Sequence, residues 1–146
     1  MKLSSREKVA KISLVDIAIY CRNNCSVKLS EISKRQNRSV NFLEKIFFLL
    51  KKNSMVLSRR PSTGRYTFAK KPDFIKLYDV IKAIDDKLLI DHLNNPKLID
   101  NFNNNKTRLL TFNLLNKFRN FIYNFLNYIS IEDVKSDNFL KKMMKI

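Results

Sequence analysis

The sequence predicts a mostly α-helical fold with one small β-hairpin and a long helix towards the C-terminal end. Three observations indicate this fold. Apolar residues recur at helical spacing through most of the 146-residue chain. The only glycine, Gly64, stands between two short runs that alternate as strands do. A continuous stretch at 109–129 carries apolar residues on two faces of one helix.

The first element is a helix that begins at a capping box. Ser4 is the predicted N-cap, and Glu7 is placed to reach back to its backbone. Apolar residues follow at helical spacing as far as Cys21, and the polar run at 22–24 ends the helix. Cys21 and Cys25 are too few for a disulfide framework, so we expect reduced thiols near the helix end.

Residues 29–53 predict a helix-turn-helix. A short amphipathic run, LSEISKRQ, leads to a turn at 37–38, and a second helix spans 40–53. Its core-facing stripe consists of Leu43, Ile46, Phe47 and Leu50. Polar residues at the entrance and start of this helix point away from the stripe and form a candidate binding surface: Arg38, Ser39, Asn41, Glu44 and Lys45.

A β-hairpin follows directly, in the position of a wing. Residues 55–60 and 65–69 are the predicted strands, and Gly64 offers a positive φ to the turn between them. We expect the turn to carry its arginines outward, where a wing lies along the DNA backbone or enters the minor groove. The candidate contacts are Arg59, Arg60, Thr63, Gly64 and Arg65. The alternative is an ordinary solvated hairpin tip.

A further helix is predicted near 77–84, and the long helix follows a less regular, Asn-rich stretch. In the long helix, apolar residues recur at alternating spacings of three and four, the pattern of a coiled-coil seam. The seam consists of Leu115, Phe118, Ile122, Phe125 and Ile129. A second apolar face consists of Leu114, Phe121 and Tyr128. Together the two faces have more apolar surface than a small winged domain can cover. We expect one face to pack on its own domain and the seam to form a homodimer interface. The alternative is a core helix buried within its own chain.

These elements divide the chain into four segments. A winged helix-turn-helix domain spans 1–86, a variable linker 87–108, a dimerisation helix 109–134, and a basic tail 135–146, whose last six residues, KKMMKI, are expected to be frayed.

The charge balance points to a polyanionic partner. Twenty-nine Lys and Arg residues against 13 Asp and Glu give a net charge of +16, which favours nucleic acid or an anionic surface. A/T-rich codons explain part of the lysine excess, but they explain the placement of the arginines less well. No apolar run approaches the ~18 residues of a membrane span, so a cytoplasmic protein is expected. One histidine and no glycine-rich phosphate loop argue against an enzyme.

Four sequence pieces carry a family resemblance: LSEISKRQ, SVNFLEKIF, LKKNSMV and DVIKAID. In this order and spacing they resemble the IscR/NsrR-type winged-helix transcription regulators of bacteria, well over 1–86 and more weakly over 109–134. The resemblance implies a homodimer that binds a partly palindromic operator in double-stranded DNA and that acts more often as a repressor than as an activator. It also implies base-reading roles for Ser39, Asn41 and Glu44 and a wing role for Arg60.

Side-chain chemistry agrees with these roles. Asn pairs with adenine and Glu accepts from the cytosine amino group. The positioning contacts to phosphates suit Arg38, Lys45, Arg59 and Arg65.

The chain departs from the family pattern at the cofactor. Cluster-binding members carry three cysteines before the long helix, whereas the stretch 87–106 has none. An iron–sulfur cluster needs thiolate-rich ligation, so we expect no cofactor and a signal from a partner protein or a small molecule. The alternative is a redox sensor whose 2Fe–2S cluster uses Cys21, Cys25 and His92, which visible absorbance would reveal. A second alternative is a basic architectural protein that coats nucleic acid with little sequence preference.

Overall fold

The computed structural model describes residues 4–21, 25–85 and 105–144. The helices are α1 (Ser5–Tyr20), α2 (Leu29–Gln36), α3 (Val40–Lys52), α4 (Leu77–Ile84), α5 (Lys106–Tyr128), α6 (Ile131–Lys135) and α7 (Phe139–Met143). The strands are β1 (Val27–Lys28), β2 (Val56–Arg59) and β3 (Arg65–Phe68), with 3₁₀ turns at Pro61–Thr63 and Pro72–Phe74. The mostly helical fold with a small sheet is confirmed. The linker prediction falls largely on 86–104, outside the described residues.

Local signals produced the elements that the sequence predicts. The Glu7 amide donates to Ser4 Oγ at 3.2 Å, and the Ser4 amide donates to Glu7 Oε2 at 2.6 Å, so the capping box begins α1. Ser39 caps α3 in the same way, because its Oγ accepts from the Phe42 amide at 3.2 Å. Both caps satisfy amides that have no partner within the helix.

The sheet has one strand more than the predicted hairpin. Its order is β1-β3-β2, and both pairings are antiparallel. Tyr66 on the central strand pairs with Val27 on one side and with Ser58 on the other. With two residues, β1 is too short to show the alternation on which strand prediction depends.

The core joins α1, α2, α3 and α4 to the sheet. All four residues of the α3 stripe are at most 1% exposed, as the periodicity predicts. The centroids of the Phe47 and Tyr66 rings lie 4.7 Å apart, so α3 packs directly on the central strand. The fixed packing of α3 against the sheet determines which face of this helix meets solvent.

The chain reverses after α5 rather than continuing as one helix through 134. Ser130 forms a capping box with Asp133, which begins α6. The backbone also pairs with the main domain, because the Leu77 amide donates to Ile129 O at 3.0 Å and the Ile131 amide to Ile75 O at 2.9 Å. These bonds bring α6 back against α1.

Residues 139–143 form α7, so the expectation of a frayed end is wrong for residues 141–143. Lys142 Nζ lies 2.6 Å from Asp133 Oδ2 and ties this helix to α6. Burial by itself raises the pKa of Asp133, but hydrogen bonds from Lys142 and Ser130 outweigh it, and the pKa lies below its ordinary value.

Candidate nucleic-acid interface

The turn between α2 and α3 fixes how the two helices of the helix-turn-helix are joined. Asn37 adopts a left-handed conformation with φ 50°, which asparagine tolerates better than most residues. The Arg38 amide donates to Ser33 O at 3.1 Å, and the Ser33 hydroxyl donates to Arg38 O. The two bonds close the turn and leave the Arg38 side chain exposed.

A partly buried ion pair between Asp16 and Arg35 holds α2 against α1. The Asp16 carboxylate accepts two bonds from Arg35 Nε, at 3.1 and 3.0 Å, one from Arg35 Nη2 at 2.6 Å and one from Gln36 Nε2 at 2.8 Å. The Arg35 guanidinium also lies 4.1 Å from the Tyr20 ring centroid. Sequence reasoning missed this cluster, because its members lie on separate helices and carry no common motif.

The outer face of α3 presents the predicted polar residues together. Asn41, Glu44 and Lys45 are all exposed on the side opposite the buried stripe. Glu44 also acts on the wing: burial raises the pKa of the Tyr66 phenol, and the nearby Glu44 carboxylate raises it further. The start of α3 and the central strand of the wing therefore lie within electrostatic reach of each other.

The tip of the wing is a tight turn with two left-handed residues. Gly64 has φ 58°, as predicted, and Arg60 has φ 54°, which the sequence did not indicate. Thr63 stabilises the turn, because its amide and its hydroxyl each donate a hydrogen bond of 2.9 Å to Arg60 O. The Leu29 amide donates to Gly64 O at 2.9 Å and anchors the tip to the start of α2.

The wing arginines do not all point outward. Arg59 and Arg60 are exposed. Arg65 is half-buried, and its Nη1 donates to Ser26 O at 3.2 Å, so the expected outward position of Arg65 is wrong. The cause is the strand β1, which brings the Ser26 carbonyl beside β3. A phosphate-binding role for Arg65 stays a prediction.

The apolar surface of α5 divides along the helix. Leu115 and Phe118 are 45% and 54% exposed, whereas Ile122 and Phe125 pack against Ile81 of α4 and its neighbours. Ile129 is 1% exposed within its own chain, so its assignment to a dimer interface is wrong. The bonds that reverse the chain after α5 bury Ile129 beside α4.

The donor groups of the described residues do not fit an iron–sulfur cluster. Burial raises the pKa of Cys21 to about 11, and its Sγ donates to Cys25 O. Within the described ranges, no three His, Cys, Asp or Glu side chains are grouped to hold a metal ion. His92, the third ligand of the alternative, lies outside them. The expectation of no cofactor stays a prediction.

None of the helices described is both long and apolar enough to cross a membrane. An exposed second helix of a helix-turn-helix beside a basic wing defines a winged helix-turn-helix protein of the DNA-binding class. The family model "Rrf2: Iron-dependent Transcriptional regulator" matches residues 3–137. The chain therefore belongs to the Rrf2 family of transcriptional regulators, which confirms the resemblance found in the sequence.

Individual relatives agree with this placement. The HTH-type transcriptional regulator IscR of Aliivibrio salmonicida is 32% identical over 138 residues, covering 94% of this chain and 79% of the relative. The IscR of Vibrio cholerae is 30% identical over the same length, covering 94% and 77%. These relatives are transcription regulators rather than enzymes.

Solved structures show the same fold. A putative transcriptional regulator from Listeria innocua matches with a TM-score of 0.74 at 19% identity, covering 92% of this chain and 85% of that one. CymR, the global cysteine regulator of B. subtilis, matches with a TM-score of 0.69 at 21% identity, covering 93% and 97%.

Proposed function

We propose that the protein is a dimeric, sequence-specific regulator that places α3 in the major groove and the wing on the flanking backbone or minor groove of its operator. One observation carries the proposal. The stripe on one side of α3 is fully buried, while Asn41, Glu44 and Lys45 are exposed together on the other side, beside the wing. The rigid mounting of α3 supports base reading, because reading requires side chains held at fixed positions.

Each exposed residue has a role that suits its chemistry. Asn41 offers the paired donor and acceptor that adenine requires, and Glu44 accepts from a cytosine amino group. The Ser39 oxygen already caps α3, so its hydroxyl hydrogen is left to donate to a base or phosphate. Lys45 and Arg38 are positively charged hydrogen-bond donors, which suit phosphate oxygens. Arg60, exposed at the wing tip, suits a narrow minor groove.

The exposed half of α5 supports a homodimer. Apolar side chains that are at least 45% exposed cover its N-terminal part: Leu109, Leu110, Leu114, Leu115, Phe118 and Phe121. A continuous apolar patch of this kind marks an interaction site, and the same patch on a second copy provides a self-complementary partner. Two recognition helices then meet half-sites about 34 Å apart.

The test begins with fragments of the organism's own genome, selected on the purified protein at physiological salt and sequenced. A few fragments that share an inverted repeat are expected, bound at least about 10³-fold more tightly than random DNA. Recovery spread evenly over the genome would instead favour the architectural alternative, in which the net charge of +16 binds DNA electrostatically without sequence preference.

Adjacent residues on α3 supply a matched pair of variants on the recovered operator. Glu44→Ala is expected to change which bases are tolerated at one position of each half-site. Lys45→Ala is expected to weaken all sequences alike and to reduce the salt slope by about one for each phosphate that the lysine no longer neutralises. A uniform loss of affinity in both variants contradicts the assigned reading role of Glu44.

A further inference from the structure

Phe48 is an aromatic side chain that the packing of α3 leaves in water. It is 65% exposed, although the next residue but one along the helix, Leu50, is fully buried. Phe48 shares a shallow surface groove with Asn41, Glu44 and Lys45. The ring therefore belongs to the same surface as the residues proposed to contact DNA.

Helix geometry aligns Phe48 with Asn41. Seven residues correspond to almost two full turns, so the two side chains leave the helix axis within about 20° of each other and about 10 Å apart along it. Glu44 lies between them. A helix that inserts Asn41 and Glu44 into the major groove consequently carries the Phe48 ring along the same groove.

The chemistry of the groove selects one occupant for this ring. Base edges in the major groove present hydrogen-bond donors and acceptors, with one apolar group among them, the C5-methyl of thymine. A phenyl ring offers no hydrogen bond to the polar edges, but it packs well against a methyl group. Exposed lysines on the same helix, Lys45 and Lys52, supply positive charge that complements the phosphates on either side.

We propose that Phe48 is a specificity-determining residue that packs against the C5-methyl of a thymine in each operator half-site. The inference rests on the proposed function, because it requires α3 to lie in the major groove. It adds a thymine preference to the reading by Asn41 and Glu44. A protein partner docked on the ring is the competing explanation, and it predicts no dependence on that methyl group.

The test removes the methyl group from the DNA and the ring from the protein. Each thymine of the recovered operator is replaced in turn by deoxyuridine, symmetrically in both half-sites, and affinity is measured for the native chain, Phe48→Ala and Glu44→Ala. One position is expected to weaken native binding by about fourfold per half-site, the effect of one buried methyl group. For Phe48→Ala, deoxyuridine at that position should cause no loss of affinity, because the ring is already absent. For Glu44→Ala, deoxyuridine should cause the same loss as for the native chain.

The outcomes separate this inference from the proposed function. If no operator is preferred over random DNA, the proposed function fails and the inference fails with it. If an operator is bound but no deoxyuridine substitution weakens the native chain, Phe48 does not contact a methyl group. Equal losses in the native chain and in Phe48→Ala also overturn the inference. Thermal unfolding of Phe48→Ala should match the native chain, because the ring is exposed.

Discussion

The ion pair between Asp16 and Arg35 gives a sharp prediction about how the helix-turn-helix is mounted. The Asp16 side chain is 2% exposed and accepts bonds from both Arg35 and Gln36. Asp16→Asn keeps the shape of this side chain but removes its charge and places an NH₂ group where donors already point. The change therefore breaks the pair without opening a cavity.

The expected magnitude follows from the burial of the two partners. Breaking a buried ion pair costs about 3–5 kcal/mol. The Arg35 side chain is 28% exposed and regains some hydration when released, so we expect a loss of about 2–3 kcal/mol. For a chain of this size, about 3 °C of melting temperature corresponds to each kcal/mol, which predicts a decrease of about 6–9 °C.

Thermal unfolding followed by circular dichroism at pH 7 measures this decrease. The matched control is Asp73→Asn, the same chemical change at an exposed carboxylate, which should stay within about 0.5 kcal/mol of the native chain. If Asp16→Asn melts together with this control, the pair does not hold α2 on α1. Its close geometry would then have no bearing on stability.

Two further predictions concern the C-terminal half. If the proposed homodimer forms, Phe118→Glu should sediment as a monomer in sedimentation velocity, while Asn120→Glu, about 160° around the helix, should sediment as a dimer like the native chain. A dimeric Phe118→Glu contradicts the proposed interface. Because the folded-state pKa of Asp133 is lowered, its stabilising effect is present above about pH 4 and is lost as pH falls through the folded pKa. Lys142→Met should therefore lose about 1 kcal/mol at pH 7 and progressively less as the pH falls below about 4 and Asp133 takes up a proton, whereas Lys141→Met should lose little at any pH. Urea unfolding at a series of pH values from 7 downwards measures this, and equal losses for the two lysines would refute it.

Local physical chemistry explains what the sequence by itself determined about this protein. The capping serines, the buried stripe of α3 and the positive φ of Gly64 depend on neighbours a few residues away, so their spacing is visible in the chain. The polar residues at the start of α3 follow from the same periodicity, because a helix with one buried face must expose the other.

Tertiary structure decided the features that depend on distant partners. The strand β1 exists because β3 offers it a hydrogen-bonding edge, and the same strand turns Arg65 inward. The burial of Ile129 depends on backbone bonds to α4, and the pairing of Asp16 with Arg35 depends on the crossing of α1 and α2. Periodicity shows that a helix has an apolar face, but only the packed chain decides which part of it a neighbouring element covers, because that contact involves residues far apart in sequence.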